Sequence, residues 1–89
     1  MNVEFTDEFK KKTQQLIRKN PQLKSSFKKQ FILFKINPFH PSLRLHKLKG
    51  SRSEQYVIWI KGDLRALSIK PKTDTETYIF FDLVTHGEY

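Results

Sequence analysis

Between Pro38 and Pro41 the hydrophobic pattern of this chain changes period, from helical to alternating. Ahead of the prolines, Phe9, Thr13, Leu16 and Ile17 share one face at helical spacing. Leu23, Phe27, Phe31 and Phe34 then recur at intervals of four, four and three. Beyond the prolines the apolar residues gather in short segments rich in β-branched and aromatic side chains. No single kind of element satisfies both periods, so a helical layer must pack on a sheet.

Local signals punctuate the two halves. Thr6 is a good helix cap, and Asp7 and Glu8 follow where negative charge suits the helix dipole. Asn20-Pro21 ends this first helix and, with Pro21 as first residue, opens a second one. Asn37-Pro38 stops the second helix, because a residue before proline avoids helical dihedrals. Residues 2–5 have the composition of a short first strand. Residues 43–48, 55–61, 64–70 and 77–84 form a meander, with Gly62-Asp63 as its tightest turn. Short connections imply antiparallel neighbours. The expectation is an α+β fold in which an N-terminal helical hairpin packs on a twisted antiparallel sheet of about four strands. With no internal repeat and no linker, residues 1–89 are expected to form a single domain.

Charge narrows the partners. Seventeen Lys and Arg against nine Asp and Glu give a net charge of +8, which favours nucleic acid or an acidic protein. The lysines at 10, 11, 12, 24, 28 and 29 are most simply the solvated faces of the hairpin. The absence of cysteine excludes disulfides and thiolate zinc sites. No signal peptide, membrane-length apolar run or basic amphipathic helix is present, so a soluble, cytoplasmic protein without a membrane partner is expected.

Several kinds of chemistry are missing. The sequence has no phosphate-cradling glycine loop, no metal-ligand cluster and no recognisable Ser-His-Asp spacing. No metal or other cofactor is therefore expected. Polar residues do collect near strand ends: Arg44, His46, Lys47 and Lys49, then Lys61 and Arg65 across the turn, then His86 and Tyr89. RNA cleavage without metal needs a base for the 2′-hydroxyl, cations for the phosphate charge and an acid for the leaving 5′-oxygen. Histidine, arginine, lysine and tyrosine suit these tasks, although any basic sheet offers some of them. Bland roles stand beside the sharp ones. Arg65 has Asp63 and Asp82 as candidate ion-pair partners. His46 and His86 have the option of lying idle in solvent, His40 is structural or solvent-exposed, and Trp59, Tyr56, Phe80 and Phe81 are core candidates.

The segments Leu45-His46-Lys47-Leu48-Lys49-Gly50, Tyr56 to Ile60, Gly62-Asp63-Leu64-Arg65 and Phe81 to Tyr89, in this order after a helical hairpin, resemble the RelE/ParE toxin superfamily. Thr85-His86 is most similar to its YafQ-like branch. The resemblance implies a RelE-like fold and the toxin of a type II toxin–antitoxin system. Such a toxin is an mRNA interferase: an endoribonuclease that cuts mRNA with the ribosome and inhibits translation. It also implies an acidic antitoxin bound in a hetero-oligomer. In this reading His86 is acid or base, His46 contributes to the site, Arg65 binds phosphate and Lys49 is a basic residue of the cleft. Tyr89 stacks on a base or assists proton transfer, and Lys47, Arg44 and Lys61 add phosphate-binding charge. One departure matters. RelE-type members carry two lysines where this chain has Val57 and Trp59, so His86 and His46 would replace that lysine chemistry. A ParE-type inhibitor of DNA gyrase would share the fold without needing the polar cluster, and a plain RNA-binding module is the third reading.

Overall fold

The computed structural model describes residues 2–50 and 54–85. Strand β1 (Asn2–Phe5) leads into helices α1 (Asp7–Lys19) and α2 (Leu23–Ile36). A short 3₁₀ turn (Pro41–Leu43) precedes β2 (His46–Lys47), β3 (Gln55–Lys61), β4 (Leu64–Ile69) and β5 (Thr77–Thr85). Thr6 caps α1 as expected, its Oγ1 accepting from the Phe9 N–H at 3.1 Å. The second helix opens two residues later than the Asn20-Pro21 signal. The Asn20 N–H is still bonded to Leu16 O at 2.9 Å, and Pro21-Gln22 makes the turn.

Among the described residues the sheet has five strands in the order β1-β5-β4-β3-β2. It is mixed, where a purely antiparallel sheet of about four strands was expected. β1 runs parallel to β5, with Val3 opposite Tyr78 and Phe5 opposite Phe80. The helical hairpin supplies the long crossover that this parallel pairing requires. The expected strand over 43–48 shrinks to His46–Lys47. Pro41 starts a 3₁₀ turn, and Arg44 takes the left-handed region at φ 51°, which breaks the extended run.

One face of the sheet lies under the helices. Phe9, Phe27 and Phe34 descend onto Ile58, Ile60, Ala66, Tyr78, Phe80 and Leu83. Phe80 is wholly buried and meets Phe31 edge-to-face at 4.9 Å and Phe34 at 5.5 Å. Strand alternation sends Val57, Leu67 and Val84 to the opposite face, where Leu48 and Phe81 pack on them. Thus the apolar floor of the second face is built from the same strands that roof the main core.

Candidate active site

The face away from the helices gathers the polar residues. His46 stands opposite Val57, which stands opposite Leu67; in the next row Trp59 stands opposite Arg65 and Arg65 opposite Val84. A β-bulge between Trp59 and Lys61 ends the regular ladder beside this row. Bulges commonly re-aim side chains next to functional sites.

Hydrogen bonds fix the row. The Trp59 indole Nε1–H donates to Gly62 O at 2.7 Å, and the Arg65 guanidinium donates to the same oxygen at 3.0 Å. A carbonyl has two lone pairs, so it can satisfy both donors. Gly62 makes this possible by taking φ 57° in the β3–β4 turn, a region that favours glycine. The Arg44 guanidinium carbon lies 4.9 Å from the Trp59 ring centroid, a cation–π stack worth about 0.5–1 kcal/mol at an exposed site. The left-handed backbone of Arg44 costs roughly 1–2 kcal/mol in a non-glycine residue. Local strain of this kind often accompanies function.

His46 is held as well. Its Nδ1 lies 2.9 Å from Arg44 O. The carbonyl only accepts, so Nδ1 is the donor in this contact. Beneath Trp59, buried Gln30 of α2 donates from Nε2 to Trp59 O at 2.9 Å and to Ser42 O at 3.4 Å. This side chain ties the helix to the site strand and to the 3₁₀ turn.

The structure therefore brings Arg44, His46 and Arg65 to one face. Lys47 is not with them: it pairs with Tyr56 and so lies on the opposite face. Lys61 ends β3 at the exposed hairpin, and exposed Lys49 follows β2. His86 and Tyr89 lie outside the described residues; Thr85, paired with Leu64, is the last residue described. Among the described residues Arg65 forms no ion pair, and Asp82 takes Lys12 instead at 2.9 Å. Trp59, expected in the core, belongs to neither apolar cluster: the pleat turns it away from the helices, and on the other face its ring is stacked under Arg44. Phe80 and Tyr56 join the main cluster as expected, and Phe81 packs in the smaller one. His40 is exposed, its Nδ1 accepting from the Ser42 N–H at 3.2 Å.

The sequence reading does not single out Gln30, and it weighs Trp59 as core ahead of a base-stacking platform. Gln30 falls with Phe27 and Phe34 at helical spacing, which was the available signal for a buried polar group. Trp59 alternates with Ile58 and Ile60, so period two already placed it on the other face.

No protein-family model matches the chain, and no curated protein matches it in sequence. Solved structures do match in three dimensions. The YoeB/ParE toxin from Agrobacterium tumefaciens superposes with a TM-score of 0.74 at 15% identity, over 97% of this chain and 99% of that one. YafQ from E. coli strain BL21(DE3) gives 0.71 at 17% identity, over 96% and 92%. The toxin of the E. coli DinJ-YafQ toxin-antitoxin complex gives 0.70 at 17%, over 96% and 91%. At such identities the likeness is one of architecture, and the chain has the fold of the RelE/YoeB/YafQ-like toxins.

Proposed function

We propose that the chain is the toxin of a type II toxin–antitoxin pair, an endoribonuclease that cuts mRNA on the ribosome and is silenced by an acidic antitoxin. The observation that carries this reading is the placement of Arg44, Arg65 and His46 on one sheet face around Trp59. In this reading the two guanidinium groups hold the scissile phosphate and stabilise the charge that builds on it. Arginine suits the task because its planar fork matches phosphate oxygens. The 2′-oxygen attacks phosphorus and the 5′-oxygen leaves. His86 protonates that leaving oxygen, and His46 or Tyr89 assists proton transfer. Lys49, after β2, and Lys61, at the end of β3, add positive charge.

The net charge of +8 supports both a ribonucleoprotein target and an acidic partner. A groove of about 250 Å³ lined by Phe5, Phe9, Phe27, Phe31 and Lys10 offers an amphipathic acidic segment an apolar floor with a cation at its rim. The DinJ-YafQ complex supports such pairing for a protein of this fold. The test is to express the chain and map mRNA cleavage with and without translation. Cuts that need ongoing translation and that vanish in Arg65→Ala support the reading. Toxicity that persists without RNA cuts would instead favour a gyrase inhibitor.

A further inference from the structure

Edge strand β2 divides the basic residues of this protein between two surfaces. His46 and Lys47 are its only residues and both are exposed, His46 turned to the candidate active face and Lys47 to the other. On Lys47's side, past the reach of the helices, an open depression of about 400 Å³ is lined by Lys47, Tyr56, Lys70 and Lys72, with Glu54 among them. Tyr56 and Tyr78 meet edge-to-face at 5.5 Å. Lys70 Nζ lies 5.7 Å from the Tyr56 centroid and 5.0 Å from that of Tyr78, and Lys47 Nζ lies 6.0 Å from Tyr56. The Glu54 carboxylate sits 3.5 Å from Lys72 Nζ, but both side chains are largely exposed. Such a pair is solvent-screened and exchanges readily for another anion.

We propose that this depression is a second RNA-binding surface, which holds the backbone of a single-stranded segment beyond the scissile bond; the proposal rests on RNA being the ligand of the first face. Cations that track a backbone, set among aromatic rings, are how proteins hold single strands without reading sequence. Continuity supports it. Because His46 and Lys47 are successive residues of an edge strand, an RNA leaving the active face rounds that edge directly onto Lys47, then Lys70 and Lys72. The surface contributes affinity and salt dependence, not bond cleavage.

The test measures binding of a short fluorescein-labelled 2′-O-methyl RNA, which cannot be cut because its nucleophile is blocked. Wild type is compared with K47Q/K70Q/K72Q and with a charge-matched control on the helices, K11Q/K24Q/K28Q. The proposal expects the first triple to lose affinity well beyond the control. Its log–log salt slope should fall by about 2, since each single-strand phosphate contact contributes roughly 0.7. Equal losses in both triples, or wild-type binding by the first, would overturn it. So would a first triple that keeps RNA binding but loses a labelled oligoglutamate, which would make the depression a protein dock. Cleavage of unmodified RNA by wild type tests the catalytic reading separately. A protein that binds with the expected slope change and never cuts keeps this surface and loses the nuclease.

Discussion

Trp59 and Arg65 end on one oxygen: the indole N–H and the guanidinium both donate to Gly62 O, at 2.7 and 3.0 Å. The turn carbonyl thereby couples an aromatic ring to the cation beside it, and Arg44 covers that ring from the next element. In the proposed mechanism, the position of Arg65 at the phosphate therefore rests on a tryptophan that need not touch RNA.

Trp59→Phe tests that dependence. It keeps a ring for Arg44 and removes one of the two donors to Gly62 O. Stability should change by no more than about 1.5 kcal/mol, the usual net worth of one hydrogen bond. RNA cleavage should fall by roughly 10- to 100-fold, because small displacements of positioning groups cost that much. Urea unfolding and a cleavage assay on the same preparation separate the two effects.

Gln30→Met should cost more stability. The change keeps the volume but withdraws the donor to Trp59 O and Ser42 O. An unpaired buried polar group costs about 1–3 kcal/mol, read as a lower urea midpoint. Phe80→Ala, in the centre of the aromatic cluster, sets the upper scale at about 3–5 kcal/mol.

At Arg44 the expectations for stability and function diverge. Asparagine tolerates the left-handed backbone that arginine occupies at φ 51°. Arg44→Asn should therefore leave stability unchanged within about 1 kcal/mol while weakening RNA binding through the lost cation. Thermal unfolding alongside an RNA-binding isotherm checks both.

One carboxylate gives a pH expectation. The Thr77 hydroxyl donates to Asp74 Oδ2 at 2.6 Å and the Glu76 N–H to Oδ1 at 3.1 Å, which hold the Asp74 carboxyl below its ordinary value of 3.8. A lowered folded-state value means that the contribution is fully present above 3.8 and is lost as pH falls through the lower, folded value. Carboxyl NMR titration should place Asp74 below 3.8 in the wild type and closer to it in Thr77→Val.

Much of this architecture was legible in the sequence. Phe27, Phe31 and Phe34 at helical spacing, and the alternation through Val57 to Ile60, gave the two layers because burying one face imposes a period. The pairing of β1 with β5 was not legible, since it joins residues more than seventy positions apart and no local signal encodes it. The 3₁₀ turn at Pro41 was masked by the leucines at 43, 45 and 48, which mimic alternation. Arg65 and His46, singled out by residue type and motif, do share one face of the sheet. Lys47 was misplaced because adjacent residues of a strand face opposite ways, and position in sequence alone groups them.

In the proposed mechanism Arg65 acts on a phosphate during RNA cleavage. Mapping the termini of mRNA from cells that express wild type, Arg65→Ala or His86→Ala tests it most directly. Wild-type cuts should carry a 2′,3′-cyclic phosphate or 3′-phosphate on one side and a 5′-hydroxyl on the other, because the 2′-hydroxyl is the nucleophile. Arg65→Ala and His86→Ala should each reduce cutting by at least ~10²-fold, the scale of a lost charge-stabilising or proton-transfer group. Full toxicity and wild-type cutting in both variants would contradict it.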